Sequence, residues 1–213
     1  MKLIIPFLVL FISSFSFAQS DSVRYVPGFK FNEGIYLDYR SFKANKPVAK
    51  AQIIADYSKE ELDFVRKIIA KRFITYLDTL GRITEVNAQS LWGFSENNSI
   101  YIRYNGDFNK IVVLGGLCHF TALFTTYFSS SPTMGVGQTT GTPVESIQQY
   151  ILDIQTGQVF DYVLPNMEEL LKRDANLYIE FMAFSKRKRR QMMFIYLRKY
   201  NERQGLYLGL PSK

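Results

Sequence analysis

The chain has 213 residues, of which 47% are hydrophobic and 21% are charged, and 26 Lys and Arg against 19 Asp and Glu give it a net charge of +7. These proportions are typical of a globular protein and exclude an intrinsically disordered one. Its single cysteine and single histidine are the neighbours Cys118 and His119, which excludes an intramolecular disulfide and leaves too few ligands for a zinc site.

The first eighteen residues have the pattern of a signal peptide. Lys2 is followed by an apolar run over residues 3–17, and small residues stand at the end of the run, up to Ala18. The run is shorter than the roughly 20 residues that a membrane-spanning helix needs. We therefore predict a cleaved signal peptide over residues 1–18, a mature chain of residues 19–213 without a transmembrane segment, and a periplasmic or secreted location.

The beginning of the mature chain predicts one helix among short extended segments. Asp38 is placed to cap a short helical turn that ends at Phe42. Ser58 and Glu61 have the spacing of a capping box, and apolar residues at helical spacing follow them. We therefore expect the main helix of this half of the chain to begin at Ser58.

From Arg72 onward the apolar residues alternate, which predicts strands joined by short turns. Asn105 and Gly106 predict a hairpin turn. Residues 129–143, rich in Ser, Thr, Gly and Pro, predict a flexible loop. The expected strands cover residues 73–78, 82–86, 99–104, 111–114, 117–128, 147–154 and 159–162.

Residues 166–203 predict a basic helical region. Asn166 and Glu169 have capping-box spacing for a first helix, and a second helix is expected over residues 174–201, with a break near Ser185. Strands joined by short turns, with helices collected at the ends, predict a single α+β domain. Its sheet is expected to be mainly antiparallel, either open and strongly curved or barrel-like, with one helix in the N-terminal half and two C-terminal helices.

No pattern in the sequence predicts catalytic residues, a bound cofactor or a metal site. Cys118 and His119 are neighbours on a predicted strand, so their side chains point to opposite faces and cannot form a nucleophile–base dyad. Residues 135–137 read Gly-Val-Gly but lack the further Gly or Lys of a phosphate loop. Acids such as Glu33 and Asp38 are scattered, so only the folded chain can show whether two carboxylates face each other.

The positive charge is concentrated near the C-terminus. Residues 172–203 hold ten Lys and Arg against three acids, whereas residues 19–171 hold fourteen against sixteen. Five consecutive cations cover every face of a helix, so this segment cannot be buried on all sides. Either it is a solvated helix surface, or it contacts anionic lipid, a polyanion or another envelope protein. The five candidate contact residues are Lys186, Arg187, Lys188, Arg189 and Arg190.

Trp92 and Phe94 form a second candidate site. Two large aromatic side chains around a glycine, just before a strand, are typical of a core anchor. The alternative is an aromatic platform for a glycan or a peptide.

Several stretches resemble small exported proteins of Bacteroidetes that have no assigned function. The resemblance covers most of the mature chain and implies no activity, so no catalytic residue follows from it. The stretches are Gly34-Ile35-Tyr36 with Phe42, Asn45 and Pro47, then Leu91-Trp92-Gly93-Phe94 before Ile100-Tyr101-Ile102, then Tyr196-Leu197-Arg198-Lys199-Tyr200-Asn201, and the signal-peptide end Phe17-Ala18-Gln19.

The sequence favours a non-enzymatic accessory or binding protein of the cell envelope that uses its basic C-terminal helix. The alternative is a hydrolase whose carboxylates act on an envelope glycan or peptide at an aromatic cleft near Trp92. The predicted export signal argues against a nucleic-acid partner.

We predict that the chain is cleaved between Ala18 and Gln19 when it is expressed in a bacterium that exports it. Mass spectrometry of the periplasmic or medium fraction should find Gln19 as the first residue. Full-length protein retained in the membrane fraction would show that the segment is an anchor.

Overall fold

A computed structural model describes residues 22–128 and 142–210 of the chain. The predicted signal peptide, residues 1–18, lies outside these described residues. Most of the predicted flexible loop also lies outside them, and its last two residues belong to a strand that begins at Thr142.

The described chain contains thirteen strands and five helices. The strands are β1 Ser22–Arg24, β2 Gly34–Tyr36, β3 Val48–Ala49, β4 Ile53–Ile54, β5 Phe73–Leu77, β6 Ile83–Asn87, β7 Gly93–Glu96, β8 Ser99–Tyr104, β9 Asp107–Val113, β10 Leu117–Phe128, β11 Thr142–Asp153, β12 Val159–Asp161 and β13 Tyr207–Gly209. The helices are α1 Tyr39–Lys43, α2 Phe64–Ile69, α3 Leu164–Leu171, α4 Ala175–Met182 and α5 Lys186–Arg203.

The strands form three antiparallel sheets, which confirms the predicted α+β class. The largest sheet has eight strands in the order β12-β11-β10-β9-β8-β7-β2-β3, and a three-stranded sheet has the order β4-β5-β6. Strands β1 and β13 pair with each other near the two ends of the described chain. The barrel-like alternative is wrong for the described strands, because β12 and β3 are the unjoined edges of the large sheet.

The predicted hairpins are confirmed where local turn residues determine them. Asn105 and Gly106 have φ values of 52° and 88°, and Tyr104 pairs with Asp107 across the two-residue turn. Such positive φ values belong to the turn type whose twist matches that of the flanking strands. Gly81, with φ of 75°, lies in the turn between β5 and β6.

Two helices begin at residues other than those that the sequence predicts. Helix α2 begins at Phe64 rather than Ser58, and the amide of its second residue is capped by a side chain of strand β7. The buried carboxylate of Glu96 accepts from the Val65 amide at 3.1 Å. Helix α3 begins at Leu164, and Asn166 lies inside it, where its side chain donates to the Asp161 carbonyl at 2.9 Å.

The C-terminal region contains three helices rather than the two predicted. Asp174 caps α4 by accepting from the Leu177 amide at 3.0 Å. Ser185, where the sequence predicts a break, caps α5 by accepting from the Lys188 amide at 3.4 Å. The break therefore divides the long predicted helix into α4 and α5.

Apolar side chains cover both faces of the large sheet. Strand residues Leu117 and Ile151 pack against helices α3, α4 and α5. The alternate strand residues, such as Cys118 and Phe120, pack with α1, the segment before β2 and the C-terminal strand β13. The far end of the sheet packs on α2 and the three-stranded sheet. Helix α5 therefore lies on one face of the sheet, and α1 on the other.

The C-terminal end of α5 is held on β10 by a side-chain amide. Asn201 accepts from the Leu117 amide and donates to the Leu117 carbonyl, each at 2.8 Å. Two glycines before β10 make room for this contact, since a Cβ at Gly115 would lie 2.1 Å from the Asn201 side chain. At Gly116 a Cβ would lie 2.4 Å from the Gln204 carbonyl oxygen, which accepts from the Gly116 amide.

We expect Asn201→Ala to lower the free energy of unfolding by about 2–4 kcal/mol, because both Leu117 backbone groups lose a partner in a part-buried place. Urea unfolding measures the change. Glu202→Ala, one residue further along α5 and exposed, is the control and should change the value by less than about 0.5 kcal/mol. Equal stability of the two variants would show that the amide contact does not anchor α5.

Candidate functional site

Helix α5 has an inner face that packs on the sheet and an outer face that carries charge. Met193, Tyr196, Leu197 and Tyr200 are buried. The first and last of these four lie three or four positions from the middle two, the spacing that places side chains in a stripe on one face of a helix. The opposite face is exposed to solvent, so the residues beside the stripe decide what the helix presents there.

Three cations of α5 are neutralised by acids of the neighbouring helices. Arg189 lies 3.1 Å from Glu168 of α3. Lys199 lies 2.5 Å from Glu180 of α4, and Arg203 lies 3.1 Å from Asp174 at the start of α4. These ion pairs join α5 to the two helices before it.

Arg189 therefore does not belong to the exposed contact surface that the sequence predicts. Its side chain is only 15% exposed, and its guanidinium also lies 3.2 Å from the Met182 sulfur. The remaining four predicted cations are exposed, and so is Arg198 further along the helix. None of the five forms an ion pair with another described residue. We call them the basic surface: Lys186, Arg187, Lys188, Arg190 and Arg198.

The basic surface begins where a helix tolerates positive charge least. Lys186, Arg187 and Lys188 occupy the first turn of α5, which contains no acidic residue. The unsatisfied amides of a helix N-terminus carry partial positive charge, so each cation placed there costs about 0.3–1 kcal/mol. Residues that destabilise their own secondary-structure element, as these cations do, are expected at functional positions.

Two apolar side chains lie within the basic surface. Phe194 is 42% exposed and Ile195 is 46% exposed. Phe194 is four residues from both Arg190 and Arg198, a spacing that places the three side chains together on one face of a helix. The outer face of α5 therefore combines cations with large apolar groups.

Trp92 and Phe94 lie in different parts of the core and do not form one platform. The Trp92 ring stacks on Phe42, with centroids 4.3 Å apart, and also contacts Tyr39. Phe94 is 1% exposed and stacks on Tyr101 at 4.4 Å. A buried ring has no free face for a ligand, so Phe94 is a packing residue.

Cys118 and His119 lie on opposite faces of β10, in accordance with their adjacency. Burial raises the pKa of the Cys118 thiol to about 12, so this thiol stays protonated. His119 packs against the rings of Tyr162 and Phe194, and its Nε2 lies 2.9 Å from Gln149 Oε1. Burial lowers the pKa of the imidazole. The pair therefore does not form a nucleophile and its base.

Acids near the predicted aromatic cleft have structural partners. Asp38 caps α1 by accepting from the Ser41 amide at 2.7 Å, and Glu33 pairs with Lys50 at 2.6 Å. Four cavities lie on the surface of the described chain, and none of these four is lined by two carboxylates or by Trp92. These cavities therefore do not bring two carboxylates together beside Trp92.

Neither a metal centre nor a spanning helix is found in the part of the chain that the structure describes. Residues 22–128 and 142–210 contain no cluster of three or more His, Cys, Asp or Glu side chains suited to a metal ion. Within the same residues, no helix has the length and apolar character needed to cross a membrane.

A family model described as a family of unknown function, DUF6563, matches residues 34–204. The chain belongs to this family. The matched DUF6563 segment runs from β2 through the end of α5, so it includes the large sheet and the basic surface. No curated protein and no solved structure matches the chain. The family has no assigned function, in agreement with that part of the sequence resemblance, while export and the Bacteroidetes likeness stay predictions.

The sequence alone could have indicated two further features of the basic surface in this DUF6563 chain. The apolar stripe of α5 fixes its inner face, and helical spacing then places Ile195 on the outer face and Phe194 at its edge, where the ring also contacts His119. Ser185 before a basic run marks a helix start with cations in its first turn. No sequence pattern indicated that Arg189 pairs with Glu168, because Glu168 belongs to another helix.

The lowered pKa of His119 predicts that protonation destabilises the fold. The folded state binds the proton more weakly than the unfolded one, so stability falls as the pH drops below about 6.5 and is regained above it. The chain has one histidine, so a single imidazole NMR signal should report its titration. His119→Gln should remove this part of the pH dependence, and a pKa at or above the ordinary value would contradict the prediction.

Proposed function

We propose that the protein is exported and acts as a non-enzymatic binding protein of the cell envelope, attaching to anionic lipid through the basic surface at the start of α5. The observation that carries the proposal is the arrangement of five exposed cations without acidic partners around Phe194 and Ile195. The predicted signal peptide supports the compartment.

The exposed apolar groups favour a lipid surface over a dissolved polyanion. Helices that lie in a membrane interface combine cations with apolar side chains that enter the boundary between headgroups and acyl chains. Each Lys or Arg near an anionic membrane contributes about 1 kcal/mol of attraction. A polyanion such as polyphosphate uses the cations but offers no apolar contact to the exposed parts of Phe194 and Ile195.

The unfavourable helix start supports a binding role over a merely solvated surface. A solvated helix is equally soluble with acids in its first turn, and acids there stabilise it. In α5 three cations occupy those positions, whereas Glu168 of α3 and Glu180 of α4 pair with Arg189 and Lys199 further along the helix. An anionic surface facing the first turn supplies the missing negative charge.

We expect a variant with Lys186, Arg187 and Lys188 all changed to Gln to bind vesicles of phosphatidylglycerol and phosphatidylethanolamine about a hundredfold more weakly at low salt. The difference should shrink as salt rises, because salt screens exposed charges beyond about 8 Å at 0.15 M ionic strength. The melting temperature should rise by about 2–12 °C, since the three cations, at about 0.3–1 kcal/mol each, no longer oppose the helix dipole. Vesicle co-sedimentation and thermal unfolding measure the two effects.

A matched control changes Lys30, Arg72 and Lys110 to Gln, which removes three exposed cations elsewhere without touching α5. This control should keep most of the vesicle binding. Ile195→Gln should weaken vesicle binding at every salt concentration, because its contribution is apolar. If Ile195→Gln has no effect while the triple variant loses binding to polyphosphate, the partner is a polyanion. Unchanged vesicle binding together with a lowered melting temperature would make the three cations packing residues and overturn the proposal.

A further inference from the structure

A second group of cations lines a groove beside the paired strands β1 and β13. The groove has a volume of about 720 Å³, within the usual size of small-molecule sites, about 300–1,000 Å³. It lies between α1 and the paired strands β1 and β13. Its principal lining residues are Tyr39, Arg40, Lys43, Lys46 and Tyr207.

The groove is positively charged and has no acidic residue in its lining. Arg40, Lys43 and Lys46 form no ion pair with any residue of the described chain, and the groove contains no Asp or Glu among its lining residues. Arg40 and Lys46 are exposed, whereas Lys43 is partly buried. Charges removed from water are normally paired, so Lys43 lacks the counter-ion that its position calls for.

Lys43 is held in place by the backbone rather than by an acid. Its ammonium donates to the Tyr207 carbonyl at 2.9 Å, which leaves its other two donors for a ligand. Burial lowers the pKa of the Lys43 ammonium, as expected of a cation that has lost water without gaining an anion. A bound anion at this place would restore the missing interaction.

The groove continues into a second cavity through Lys43. This cavity, about 460 Å³ in volume, is also lined by Lys43 and Tyr207. Its other lining residues include Gln155, Gln204 and Tyr200, which offer hydrogen-bonding groups, as well as Ile154. Lys43 therefore lies where the two cavities share a wall.

One aromatic wall of the groove is fixed before any ligand arrives. The hydroxyl of Tyr39 donates to the Ile154 carbonyl. The Tyr39 ring also lies against Gly157, where an added Cβ would approach it to 3.0 Å. Tyr207 on the other side is 50% exposed. A rigid ring that needs no ordering on binding lowers the entropic cost of holding a ligand.

We propose that this groove binds a small phosphate monoester carrying a ring, with the phosphate at Lys43 and Arg40 and the ring against Tyr39 and Tyr207. Three cations without a counter-ion suit a dianionic phosphate better than a single carboxylate. Arg40 can meet two phosphate oxygens at once through its planar guanidinium. The site is separate from the basic surface of α5, and its occupancy does not depend on membrane binding.

The test is isothermal titration of the mature chain with phenyl phosphate and with glucose 1-phosphate. We expect at least one of the two esters to bind with a Kd below about 1 mM, which corresponds to a binding free energy of about −4 kcal/mol. The ester that binds more tightly shows whether the groove prefers an aromatic ring or a sugar ring. Inorganic phosphate should bind at least about tenfold more weakly, because it lacks the ring contact, and phenol should not bind measurably.

Two variants and a matched control locate the site. Lys43→Gln and Arg40→Gln should each weaken phenyl phosphate or glucose 1-phosphate binding by about tenfold, the scale of one charge-assisted hydrogen bond. Arg40 is exposed and makes no ion pair, so its variant should fold even if the Lys43 variant does not. Lys110→Gln removes one exposed charge outside the groove and should leave binding unchanged. No binding of either ester, or equal loss in all three variants, overturns the proposal.

Discussion

The contact between the Asn201 amide and the Leu117 backbone fixes the position of α5 on the sheet, and the character of that helix follows from it. Two hydrogen bonds of 2.8 Å join Asn201 to the first residue of β10. They allow α5 only one orientation about its own axis. That orientation turns Arg189 inward to Glu168 and the remaining cations of the first turn outward. The glycines before β10 are needed for the same reason, since side chains there would occupy the space of Asn201. The chemistry of the outer face is thus determined at the opposite end of the helix.

Local patterns predicted the strands better than the helix starts. Strand β10 has the predicted bounds, and the turn at Asn105 and Gly106 was readable because two adjacent residues determine it. The start of α2 was not readable, because its cap, Glu96, lies some thirty residues further along the chain. Among the candidate site residues, the exposure of the basic run over residues 186–190 could be predicted from helical geometry. The inward turn of Arg189 and the burial of Phe94 depend on residues distant in sequence, so only the folded chain shows them.

Polar clamps hold segments together in a chain whose single cysteine allows no intramolecular disulfide. Asp153 is fully buried and binds Arg173 through both carboxylate oxygens, at 2.8 and 2.9 Å, at the turn that leads into β12. The side-chain oxygen of Asn45 accepts from the Asn32 amide and the Tyr36 hydroxyl, and so holds the end of α1 to the segment before β2. Hydrogen bonds to charged or buried groups contribute about 1–3 kcal/mol each. With one cysteine in the chain, such clamps and the three apolar clusters supply the cohesion.

The pairing of β1 with β13 has a consequence for the order in which the chain folds. Ser22 pairs with Gly209, so this small sheet joins residues from the two ends of the described chain. Closing so large a loop costs conformational entropy, which is recovered only when the intervening sheet already holds the ends together. The hairpins from β5 to β11 can form as soon as they are synthesised, whereas β1 stays without its partner until the last strand is complete. The groove beside Lys43 is then assembled late, and a chain interrupted before β13 lacks both its Tyr207 wall and the carbonyl that holds the Lys43 ammonium.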